Sequence, residues 1–202
     1  MYNNKRFNKH KQMAYVTRVS QIDNGRDYNK ITNFNRPNRG GIIPYIICNG
    51  VLYFGLAVDT KTHDLTDAGG AIDYSVDKTA VRGCIREFSE ETLNIFETVT
   101  EEHLQSCPVV YDEKNIIIFM HIGVDPNEVS CKLVERYKSI FDERSKSIRQ
   151  RGKKLSSLPE VCGITWLTTE SFENSLRTPG IMYSRVRKFL SRCSLEDLYR
   201  YL

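Results

Sequence analysis

Apolar residues along the chain fall into two periodicities that place most of its elements. Gly41 to Cys48 and Val51 to Val58 are short runs rich in Ile, Val, Tyr and Phe, split by Asn49-Gly50, and this pattern predicts an antiparallel hairpin. Over Lys78 to Asn94 the period lengthens: Val81, Cys84, Ile85 and Phe88 recur at helical spacing and predict a helix with one buried face. A strand is expected at Ile116 to Val124, a long polar helix from Asn127 to about Gln150, and a strand at Val161 to Leu167. Thr169 to Leu176 and Tyr183 to Leu190 read as helices, and Ser194 is placed to cap a last helix at Leu195 to Leu202. Strands and helices interleaved in this order, with a hairpin at the start, predict a mixed α/β or α+β sandwich. Residues 1–40 are rich in Asn, Lys and Arg, with a turn-prone stretch at Asn33 to Gly41, and read as a basic N-terminal arm before a single domain over 41–202.

With 40% hydrophobic and 27% charged residues, a chain of 202 residues can close one substantial core. No uncharged apolar run approaches the roughly eighteen residues of a membrane span, and the polar start is unlike a secretory signal. The six cysteines show no CxxC pair or Cys/His ligand spacing, which argues against zinc and disulfide frameworks and for a reducing, cytoplasmic compartment.

The formal charge is only +4, but its distribution matters. Lys5, Arg6, Lys9, Lys11 and Arg18 interleave with Tyr2, Phe7 and Tyr15, and a basic helical insertion around 127–154 ends in Arg144 to Lys154 without an acidic residue. Such a surface can hold phosphates, and aromatic side chains can stack on bases. Acidic residues Glu128, Glu135, Asp142 and Glu143 lie among the earlier basic ones, so a salt-bridged surface helix is an equal reading of that first half.

The predicted helix at 78–94 carries Arg86-Glu87-Phe88-Ser89-Glu90-Glu91. About 100° of rotation per residue puts Glu87, Glu90 and Glu91 on one stripe, where like charges repel by a few tenths of a kcal/mol per pair. A hard divalent cation such as Mg²⁺ or Mn²⁺ would offset that repulsion, although a plain solvated acidic face has the same pattern. Gly69-Gly70 followed by this segment resembles the Nudix box, GX5EX7REUXEEXGU. The resemblance implies a Nudix-type α/β/α sandwich with additional helices. It also implies Glu87, Glu90 and Glu91 as metal ligands, Arg86 as the residue orienting a glutamate, and Gly69 and Gly70 as a tight turn over the site.

Three departures stand out. The segment from Gly70 to Arg86 is two residues longer than the box, Lys78 stands where the upstream glutamate is expected, with Asp77 or Asp73 as substitutes, and Leu93 replaces the following glycine. The deviations are similar to those of Nudix proteins of large DNA viruses, which implies an mRNA decapping enzyme that releases methylated guanosine diphosphate from capped RNA. Lys146, Arg149, Arg151, Lys153 and Lys154 are then the candidate RNA-binding residues. The alternatives are an ADP-ribose pyrophosphatase, which needs only a compact pocket, and a Nudix-like binding module without turnover. Glu160, just before the strand at 161–167, is the candidate general base, with Glu143 or Glu113 in reserve. Trp166 reads as core more readily than as a stacking platform, and Tyr45, Phe54 and Tyr74 are better placed near the pocket, although an aromatic in a strand is usually core.

Overall fold

The computed structural model describes residues 13–22, 37–96, 98–123, 130–150 and 160–202. Its strands are β1 (Tyr15–Arg18), β2 (Arg39–Cys48), β3 (Val51–Asp59), β4 (Leu65–Thr66), β5 (Ala68–Ala71), β6 (Pro108–Tyr111), β7 (Asn115–His121) and β8 (Val161–Thr168). The helices are α1 (Ala80–Glu91), α2 (Glu101–Leu104), α3 (Ser130–Gln150), α4 (Thr169–Arg177), α5 (Ser184–Leu190) and α6 (Leu195–Tyr201).

Side chains alternate across the sheet as a two-residue period requires. Ile42 and Ile46 of β2 and Ile116, Ile118 and Met120 of β7 join a core that includes Cys84 and Phe88 of α1 and Phe141 of α3. Ile43 and Tyr45 of β2 and Ile117 and Phe119 of β7 pack instead with Phe172 of α4, Val186 and Phe189 of α5 and Leu198 of α6. Helices thus cover both faces of one mixed sheet, which makes it an α/β sandwich, one of the two classes the periodicities leave open and the one the resemblance implies.

The strand order is β1-β6-β7-β2-β3-β4, with β2 and β7 parallel and β8 antiparallel to β3. The Asn49-Gly50 turn joins β2 to β3 with φ of 51° and 75°, a left-handed pair that suits a tight hairpin. Hairpin pairing covers only Tyr45 to Cys48. Lower down, the same edge of β2 pairs with β5 over Arg39 to Ile42, while β3 pairs with β4 at Ala57 and Val58. β4 and β5 therefore form a wedge that opens the hairpin at one end.

Several predicted bounds move. Strand β2 starts at Arg39, two residues before the predicted Gly41, because Arg39-Gly40-Gly41 pairs on both edges. The helix predicted over 78–94 is shorter at both ends. Thr79 caps its start by accepting from the Arg82 N–H, after Lys78 at φ 67°, and Leu93 and Asn94 turn left-handed at φ 54°. Within the expected arm, residues 15–18 pair with β6, and Ala14, Val19 and Ile22 are buried. The strand expected to run to Val124 ends at His121, and Val124 and Asn127 lie outside the described residues. Among the described residues no helix is long and apolar enough to cross a membrane.

Candidate active site

The open end of the β2–β3 hairpin is floored by four glycines. Gly40 and Gly41 of β2 pair directly with Gly70 and Gly69 of β5. The glycine pair Gly69-Gly70 is consequently strand and not the tight turn expected, and neither residue has a positive φ. Its physical use is close approach. A Cβ on Gly70 would stand 2.2 Å from the Glu87 Oε2, and one on Gly69 would stand 2.4 Å from the Gly40 carbonyl oxygen. On Gly41 it would meet Asp67 Oδ2 at 2.1 Å, and on Gly40 the Cys84 sulfur at 2.5 Å. The absence of these methyl groups lets α1 and Asp67 lie directly on the backbone.

Arg86 organises the start of the acidic stripe. Its Nε and Nη2 donate to the two oxygens of Asp77 at 2.7 and 3.0 Å, and Nη2 also reaches the Ala71 carbonyl at 2.9 Å. Its Nη1 donates to Glu87 at 2.8 Å and to Glu90 at 3.2 Å. One guanidinium thereby ties the β5–α1 loop, the end of β5 and two of the three glutamates together. The Arg86 hydrogen bonds hold the Asp77 carboxyl below the usual carboxylate range. Of the two substitutes considered for the missing upstream glutamate, Asp77 takes the Arg86 contact, whereas exposed Asp73 accepts from Ser75. Lys78, in the consensus position, turns its Nζ to the Ser75 carbonyl. Leu93, where the box has glycine, adopts the left-handed backbone without one, and its carbonyl accepts from Arg144 of α3.

Glu91 stands apart from its two neighbours. Its Oε2 is buried without a hydrogen-bond partner among the described residues. Burial first, then the charges of Glu160 and Glu87, push its carboxyl up to about 7, against backbone N–H donors at Glu160 and Val161. Glu87 is also raised by burial, with Arg86 opposing. Glu91 and Glu160 line a cleft of about 240 Å³ together with Arg39, Asp59, Asp67, Gly69, Gly70, Tyr183 and Arg185, among others. Asp67 and Arg39 form a buried bidentate ion pair at 2.8 and 2.5 Å.

The sequence candidates divide accordingly. Glu91, Gly69 and Gly70 line the cleft and Glu160 is exposed on its rim, while Arg86 joins Glu87 and Glu90 beside it, with the Glu87 carboxylate against Gly70. Glu143 and Glu113 are not among the lining residues, and neither are Tyr45, Phe54 and Tyr74. Tyr45 and Phe54 are core, as is Trp166, and Tyr74 donates to the Pro37 carbonyl. Lys146 is exposed on α3, while the side chain of Arg149 and residues Arg151, Lys153 and Lys154 lie outside the described residues. So do Tyr2, Lys5, Arg6, Phe7, Lys9 and Lys11. Arg39, Asp67, Tyr183 and Arg185 were not singled out by pattern, because nothing local marks them.

The donor set fits a hard cation. Glu87, Glu90 and Glu91 offer only oxygen, and Glu91 presents one buried oxygen, Oε2, that no donor among the described residues satisfies. Among the described residues no three acidic, histidine or cysteine side chains stand together as a ligand cluster, since Arg86 draws Glu87 and Glu90 onto itself.

No protein-family model matches the chain, and no curated protein matches it. Among solved structures it is similar to the NUDIX domain of Shewanella oneidensis NrtR complexed with ADP ribose, at TM-score 0.42 and 10% identity over 86% of this chain and 95% of that one. It is also similar to a C. elegans Ap4A hydrolase, at TM-score 0.37 and 14% identity over 83% and 96% of the two chains. A third is the Francisella tularensis bifunctional NMN adenylyltransferase/ADP ribose pyrophosphatase complexed with AMP and a Mn ion, at TM-score 0.41 and 16% identity over 88% of this chain and 46% of that one. None of the three is described as viral or as a decapping enzyme. Likenesses this distant leave function to be argued from the site itself.

Proposed function

We propose that the chain is a Mg²⁺- or Mn²⁺-dependent hydrolase of the Nudix type that cuts a phosphoanhydride bond in a nucleoside-diphosphate-linked substrate. The observation that carries this reading is Glu91: a carboxylate oxygen buried without a donor among the described residues, on the helix stripe of Glu87 and Glu90, in the lining of a glycine-floored cleft. Glu87, Glu90 and Glu91 would hold the cation, which when bound neutralises diphosphate charge and makes a water acidic enough to attack.

The chain's own residues have separate tasks in this scheme. Arg86 fixes the rotamers of Glu87 and Glu90 from a position locked by Asp77 and the Ala71 carbonyl. Gly70 leaves the Glu87 carboxylate room to reach the cleft edge. Glu160, exposed on the rim with its backbone N–H donating to Glu91, is the candidate base for the attacking water.

A compact substrate such as ADP-ribose suits the described cleft better than capped RNA. The cleft has a volume of about 240 Å³, and the described RNA-binding candidates Lys146, Tyr15 and Arg18 are not part of its lining. The test is incubation with ADP-ribose and, separately, cap-labelled RNA, each with Mg²⁺ or Mn²⁺, alongside Glu90→Gln and Glu91→Gln. Release of AMP and ribose phosphate, lost in both variants, is expected. Release of methylated guanosine diphosphate instead would make it a decapping enzyme, and turnover of neither would leave a binding module.

A further inference from the structure

The cleft has a second charged wall. Arg185, in the first turn of α5, lines it beside Tyr183. Its Nε donates to Asn115 Oδ1 at 3.2 Å and its Nη2 to Asn38 Oδ1 at 3.0 Å. Both acceptors are neutral amide oxygens, and among the described residues Arg185 pairs with no carboxylate. Its charge is therefore oriented but not cancelled. Arg39, the other arginine of the lining, is neutralised by Asp67.

The orientation is built into the fold. Asn115 is buried, and its Nδ2 donates to Asp112 Oδ1 at 3.0 Å, which turns its own Oδ1 toward Arg185. Asp112 is in turn fixed by Arg192 Nη2 at 2.7 Å. Asn38 is held through its backbone, donating to the Lys114 carbonyl and accepting from the Ile72 N–H. A guanidinium has five N–H donors in a planar fork, and the two amide contacts leave the Nη1 side open among the described residues. The other charged side chains of the cleft, Asp59, Asp67, Glu91 and Glu160, are acidic apart from the neutralised Arg39. An anion entering this cleft meets one uncompensated cation.

We infer that Arg185 is a substrate-binding residue, the seat for a phosphoryl oxygen of a nucleoside diphosphate on the wall opposed in charge to the acidic stripe. This rests on the hydrolase reading only for what happens to the diphosphate after it is seated. The geometry selects for a ligand carrying a phosphoryl group, since a planar fork matches two of its oxygens at once.

The experiment is calorimetric titration of ADP into the protein at fixed Mg²⁺, with turnover of ADP-ribose followed on the same samples. Arg185→Gln is expected to weaken ADP binding by about tenfold or more, the loss of a charge-assisted contact. Lys188→Gln, the same charge change on an exposed position of α5 outside the lining, should bind as the wild type does. Should Arg185→Gln not fold, Arg185→Lys carries the test: it keeps the charge, loses the fork and is expected to bind about threefold more weakly. Wild-type affinity in the Arg185 variant, an equal loss in Lys188→Gln, or no ADP binding by the wild type would overturn the proposal. Turnover with unchanged ADP affinity in Arg185→Gln removes Arg185 and leaves the hydrolase. Weakened ADP binding in a protein that cleaves nothing removes the hydrolase and leaves the seat.

Discussion

The two halves of β2 are built for different ends. From Tyr45 to Cys48 the strand carries large side chains, is tied to β3 by a tight turn, and buries Tyr45 and Ile46 on opposite faces of the sheet. From Arg39 to Ile42 it runs Arg-Gly-Gly-Ile, pairs with the glycines of β5, and has a buried ion pair and an acidic helix laid against its backbone. Apolar bulk in one half supplies cohesion, and the removal of side chains in the other lets carboxylates approach the main chain. The candidate site thus lies where the strand gives up packing, beside the apolar half that anchors the sheet.

The sharpest way to break this contrast is to damage each half in turn. Phe54→Ala, on β3 opposite Tyr45 and stacked on Phe172 at a centroid distance of 4.3 Å, should cost about 3–5 kcal/mol in denaturant unfolding. Asp67→Ala at the other end should cost a similar ~3–5 kcal/mol, because it leaves the buried Arg39 charge without a partner. Gly70→Ala should separate the two properties. Its methyl displaces the Glu87 carboxylate rather than backbone, so turnover should fall by about 10–100-fold while the unfolding midpoint moves far less than in Phe54→Ala.

A pH slope probes the same carboxylate stripe without a substrate. Glu91 titrates at about 7 in the fold, above its ordinary 4.5, so between those values the folded state binds more protons than the unfolded one. Stability of the metal-free protein should therefore fall as pH rises from about 4.5 through about 7. Thermal melts should show that slope flattened in Glu91→Gln and in the presence of Mg²⁺; an unchanged slope in the variant would assign it to other groups.

Legibility from sequence followed the same division. The β2–β3 hairpin, α1 with its acidic stripe and the capped last helix were readable because their signals are local: an Asn-Gly turn, a helical period, a serine cap. Strands β4 and β5 were not, since one has two residues and the other reads Ala-Gly-Gly-Ala, which a periodicity argument takes for a turn. Strand β1 was hidden in a polar lead-in, where a four-residue edge strand gives little alternation. The Arg39–Asp67 pair depends on the register of β2 with β5, across 28 residues of sequence. Arg185 reads as one more basic residue on a helix until Asn38 and Asn115, 147 and 70 residues away, are brought to it.

Whether the α1 stripe holds a divalent cation is tested by Mn²⁺ titration followed by electron paramagnetic resonance, with no substrate present. Wild-type protein should take up Mn²⁺, with affinity reduced about tenfold or more in Glu87→Gln, Glu90→Gln and Glu91→Gln and unchanged in Glu143→Gln on the exposed face of α3. Equal Mn²⁺ binding by the wild type and all three stripe variants would place the cation elsewhere and rule the stripe out.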